Sequence, residues 1–101
     1  MAQNQNLDEL KKNCDNVASI LKALSHPQRL LILCFLSEGE LTVTELQNMC
    51  TLSQSYVSQF LNRMKREGLV DSRREANFVY YFIANEKVTQ LIKSLNSIFC
   101  C

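Results

Sequence analysis

With a single histidine, only two glycines and no apolar run longer than Leu30 to Leu36, this 101-residue chain excludes several functions before any motif is sought. That run is far short of the roughly 20 residues needed to cross a bilayer, and the polar N-terminus lacks the form of a signal peptide. A cytoplasmic protein without membrane contact is expected. Gly39 and Gly68 cannot build a glycine-rich phosphate loop, there is no Cys-x-x-Cys beside a βαβ pattern, and no second histidine could serve a catalytic cysteine. These absences tell against a redox enzyme, the chief reading from another class, and no cofactor is called for. A net charge of +1 does not announce a nucleic-acid binder either.

What is present is an apolar fraction of 47%, enough for a small core without metal or disulfide staples, so residues 1–101 are read as one domain. The five cysteines, Cys14, Cys34, Cys50, Cys100 and Cys101, would stay reduced in the expected compartment. They read as buried hydrophobes, metal ligands or redox switches before structural disulfides. Charge is uneven. Residues 38–53 hold Glu38, Glu40 and Glu45 without Lys or Arg, whereas residues 63–74 hold Arg63, Lys65, Arg66, Arg73 and Arg74 against Glu67 and Asp71.

Leu7, Leu10, Cys14, Val17, Leu21 and Leu24 recur by three and four, the spacing of one narrow stripe on a first helix. The stripe suits either ordinary core or a partner seam. Ser25 with Gln28 reads as a capping box, with Pro27 in the first turn, before a second helix that is apolar all round from Leu30 to Leu36 and so expected at the buried centre. Thr42 with Glu45 opens a short third helix, and Ser53 caps a fourth whose Val57, Leu61 and Met64 point inward until Gly68 ends it. Leu69 to Arg74 and Phe78 to Ile83 then read as a hairpin around Glu75, Ala76 and Asn77. Val88, Leu91, Ile92, Leu95, Ile98 and Phe99 line a last helix. The order α-α-α-α-β-β-α is mainly α with a small β-hairpin, a winged helix-turn-helix whose fourth helix enters the major groove of duplex DNA.

Outside its apolar stripe the fourth helix carries Gln54, Ser55, Tyr56, Ser58, Gln59, Asn62 and Arg63. An isolated helix with such a face is more often merely solvated. Yet Gln54 to Asn62 is free of charge, where solvated faces carry Lys and Glu, and a basic turn and strand follow at once. Gln54, Ser55, Ser58 and Gln59 are therefore expected on bases, and Arg63, Arg73 and Arg74 on phosphates or in the minor groove.

Ala23-Leu24-Ser25-His26-Pro27-Gln28-Arg29-Leu30, Leu52 to Gln59 and Glu67-Gly68-Leu69-Val70 together resemble the ArsR family of bacterial winged-helix repressors, over nearly the whole chain. The resemblance implies a homodimer held by the first and last helices, through Leu7, Leu10, Cys14, Val17, Leu91, Leu95 and Ile98, on a palindromic operator. It departs at Phe60, where the family often has His, and at Ala76 and Asn77, where glycine is frequent near the wing tip. Asn77 can adopt a left-handed turn conformation, and it is counted with the DNA-contacting residues.

Metal-sensing members carry Cys-x-Cys on the third helix or carboxylate and His ligands on the last. Thr42 and Thr44 stand at the thiol positions here, and the last helix has no His. Zinc sensing is disfavoured, and the lone His26 reads as structural. Cys34 with Cys100 resembles instead the dithiol of the HlyU, BigR and SqrR branch, which implies an inducer among persulfides, polysulfides or oxidants. Taken alone, Cys34 would be a small core residue. An alternative is a soft-metal or arsenite site of Cys14, Cys100 and Cys101. Cys50 is expected to be structural.

Overall fold

The computed structural model describes residues 6–99; Cys100 and Cys101 lie outside the described residues. The chain runs α1 (Leu7–Leu24), α2 (Pro27–Leu36), β1 (Leu41–Thr42), α3 (Val43–Cys50), α4 (Gln54–Arg66), β2 (Val70–Glu75), β3 (Phe78–Ile83) and α5 (Glu86–Phe99). This is the expected winged helix-turn-helix, with one addition. The sheet has three strands in the order β1-β3-β2, all antiparallel, because Leu41 and Thr42 pair with Tyr81 and Tyr80. Two residues are too few to show a period of two, so β1 leaves no pattern in the sequence.

Caps set most helix starts. Asn6 accepts from the Glu9 amide, Thr42 and Glu45 form the reciprocal box, and Ser53 accepts from the Tyr56 amide. The expected box of Ser25 and Gln28 does not form. Ser25 instead closes α1, its amide and hydroxyl both donating to the Lys22 carbonyl. His26 takes the N-cap of α2, its Nδ1 accepting the Gln28 amide at 3.2 Å. An imidazole nitrogen two residues upstream reaches the same donor that a serine three residues upstream would have served.

The core is built by Ile32, Leu33, Leu46, Val57, Leu61, Met64, Val88 and Ile92, all fully buried, with Leu24, Leu36, Cys50, Leu69 and Val70 around them. Burying one such side chain is worth roughly 1.5–3 kcal/mol. Helix α2 supplies the centre as expected, except that Leu31 faces outward. Cys50 is buried, and burial pushes its thiol pKa up, so it is a poor nucleophile, as a structural cysteine should be.

The turn between β2 and β3 differs from expectation. Glu75 pairs with Phe78, leaving Ala76 and Asn77 as the two-residue loop, and it is Ala76, not Asn77, that takes the left-handed φ of 54°. A tight hairpin loop needs positive φ at its first central residue, and the loop's register puts alanine there.

Candidate nucleic-acid interface

Helix α4 turns Val57, Leu61 and Met64 into the core, and this fixes what it can present outward. Gln54, Ser55, Tyr56, Gln59, Asn62 and Arg63 are exposed and Ser58 is half-buried, so the expected reading residues share one outer surface. The turn before α4 is held by Thr51, whose φ of 52° is left-handed and whose amide donates to the Gln47 carbonyl. Tyr56 stacks on Phe60 at 6.1 Å, and Phe60 packs on His26 at 4.9 Å. Phe60, where the family often has His, thereby ties α4 to the cap of α2.

The basic residues divide into two groups. Among the described residues Arg63, Arg66 and Arg74 form no ion pair, and Arg63 and Arg66 flank a shallow cleft with Gln59 and Asn62. Arg73 stands apart. Its Nε donates to both Glu40 oxygens at 2.9 and 3.1 Å, its Nη1 to Glu75 at 2.9 Å, and its guanidinium lies 4.8 Å from the Tyr80 ring centre. The hydrogen bond from Arg73 holds the Glu40 carboxyl below the usual glutamate range. These bonds tie β2 to the loop before β1 and set the guanidinium against two carboxylates. Successive residues of a strand face opposite ways, so Arg74 is turned away from this cluster. Asn77 is exposed at the wing tip beside Phe78, which is 58% exposed and was missed by the sequence reading. Its position directly after the turn was the available signal.

Cys34 sits at a contact between helices. Cys34 is half-buried on α2, and its Sγ donates to Asn96 Oδ1 on α5 at 3.3 Å. Asn96 precedes Cys100 by four positions in the sequence. Cys14 is exposed on α1, and its neighbours Asn13 and Val17 border Asn85 and Lys87 at the start of α5. The three-sulfur alternative rests on Cys100 and Cys101, which lie outside the described residues; among the described residues no group of three or more His, Cys, Asp or Glu could hold a metal ion.

The residues expected at a dimer seam remain largely uncovered. Leu7, Cys14, Val17 and Ile98 are exposed, Leu10, Leu91 and Leu95 half-buried, and Leu91 also packs on the core. Leu21 and Phe99 extend this apolar surface.

Comparison with known proteins agrees with this geometry. A sequence model described as "Bacterial regulatory protein, arsR family" matches residues 26–72. The chain is 45% identical over 95 residues to the HTH-type transcriptional regulator YgaV of Escherichia coli, covering 93% of this chain and 96% of that protein. It superposes on reduced HlyU of Vibrio cholerae with a TM-score of 0.86 and 40% identity, covering 94% of this chain and all of the other. The homodimeric winged helix-turn-helix DNA-binding domain Mb0332 of Mycobacterium bovis matches with a TM-score of 0.75 and 33% identity, over 96% and 89% of the two chains.

Proposed function

The chain belongs to the ArsR family of bacterial transcription regulators, and from that membership we propose a homodimeric repressor whose grip on a palindromic operator is released by reactive sulfur species or oxidants. The switch is the dithiol of Cys34 and Cys100. The observation that carries it is the 3.3 Å hydrogen bond from Cys34 to Asn96, which joins α2 to the helix that leads into Cys100. A relative whose structure is described as reduced HlyU adds support.

In the proposed chemistry one thiolate of the pair attacks the sulfane sulfur of a persulfide R–S–SH, displacing R–S⁻ and becoming a persulfide itself. The second thiolate attacks the inner sulfur, closing a disulfide and expelling HS⁻. Two thiols and one persulfide thus become one disulfide, R–SH and H₂S; the cysteines are oxidised and the donor is reduced. With peroxide the same pair ends as a disulfide and two waters. A bridge between α2 and the end of α5 restrains a helix of the dimer seam against the helix that supports α4. It acts as a switch by favouring a dimer in which the two α4 helices no longer match successive half-sites, about 10 bp apart or a multiple of that.

On the operator, Gln54, Ser55, Ser58 and Gln59 read bases, helped by Tyr56 and Asn62, while Arg63, Arg74 and Asn77 hold the backbone or the minor groove. Mobility shifts with reduced and tetrasulfide-treated protein test the switch. The wild type is expected to release DNA on treatment, and Cys34→Ser and Cys100→Ser to keep it. Release by both variants sinks the dithiol.

A further inference from the structure

The cleft where α1, α2 and the end of α4 meet plays no part in the reading above. It has a volume of about 410 Å³ and is lined by Ser19, Lys22, Arg29, Arg63, Glu67 and Leu69. Ser19 and Lys22 are three residues apart on α1, so they share a face, and neither lies on that helix's apolar stripe. Arg29 is only 8% exposed, an uncommon depth for a side chain that stays charged. Two of its nitrogens are held: Nη1 donates to the Ala23 carbonyl at 3.0 Å, and Nη2 to the Glu67 carboxylate. Its Nε is buried without an acceptor among the described residues.

The lining sets three cationic side chains against one carboxylate, and that carboxylate is already bonded to Arg29. An oxyanion neutralises such a surplus through charge-assisted hydrogen bonds. Arg63 also borders the cleft of Gln59, Asn62 and Arg66 on the outer face of α4, so the two recesses share one guanidinium.

We propose that this cleft is a phosphate site in which Lys22, Arg63 and Ser19 grip a phosphodiester of the operator beyond the bases read by α4, above the buried charge of Arg29. Free inorganic phosphate has the same chemistry and competes for the same donors. The assignment of a phosphodiester rests on the operator reading given above; the oxyanion site itself does not.

The test has two arms. In the first, a fluorescein-labelled duplex selected from a random library is titrated at several potassium chloride concentrations with wild type, Lys22→Gln, Ser19→Ala and the charge-loss control Lys87→Gln. Loss of Lys22 is expected to weaken binding roughly tenfold on all sequences and to lower the salt slope by about one, while Lys87→Gln leaves the slope unchanged. In the second, DNA-free protein is titrated with inorganic phosphate at constant ionic strength and its thermal midpoint followed. A rise in wild type that Lys22→Gln lacks supports the oxyanion site; if the salt slope of Lys22→Gln is unchanged as well, it assigns the site to a free ion. An unchanged slope together with no phosphate-dependent difference overturns the proposal. Should wild type bind no duplex at all, the operator reading fails and the phosphate arm alone decides the cleft.

Discussion

Helices α1 and α4 carry apolar stripes of equal regularity, yet one is sealed and the other lies open. Val57, Leu61 and Met64 of α4 have no exposed surface, whereas Val17 and Leu21 of α1 are half exposed and Leu7 more so. The difference lies in what surrounds each helix. α4 packs between α3 and β2, while α1 touches its own core only through Ile20, Ala23 and Leu24. Periodicity reveals that a stripe exists; it does not reveal whether the same chain or a second one covers it. The α4 stripe is spent on the fold, and the α1 stripe is the one left open for the proposed homodimer to cover.

Substitutions on the two stripes should therefore fail in different ways. Leu61→Ala leaves a cavity in the core and is expected to cost about 3 kcal/mol, read from the denaturant midpoint. Val17→Glu should leave the protomer folded by circular dichroism but shift sedimentation toward monomer, and lower operator affinity roughly 100-fold as paired half-site binding is lost. An unfolded Val17→Glu protomer would erase the contrast. A smaller effect separates the reading face from the clamp. Gln59→Ala is expected to weaken operator binding about tenfold and relax preference at one position, whereas Arg73→Ala should leave the salt slope nearly unchanged.

The clamp also predicts a pH dependence. Because the folded Glu40 carboxyl titrates below its ordinary range, its contribution to stability is present above the unfolded pKa of about 4.3 and is lost as pH falls through the lower folded value. Thermal midpoints of wild type and Glu40→Gln should differ at neutral pH and converge in acid. Smallest of all, Ala76→Gly removes a left-handed alanine and should stabilise the protein by about 1 kcal/mol or less, measured by the same denaturant titration.

Much of this was legible in the sequence because it rests on local chemistry. Thr42 with Glu45, and Ser53 before Val57, are caps whose partners lie within three residues, and both formed as expected. The misses depend on what distant segments do. β1 exists because β3 lies beside it, and His26 displaced Ser25 as a cap while also meeting Phe60. The shared outer surface of Gln54 to Arg63 followed from helical spacing alone. The contact of Cys34 with Asn96 did not, since no local pattern links α2 to α5.

The most direct test of the thiol switch is peptide mass mapping of the protein fraction that has released DNA after persulfide treatment. The account predicts a linked peptide pair containing Cys34 and Cys100, rising in step with the loss of operator binding. Release of DNA with Cys34 and Cys100 still unlinked would contradict it.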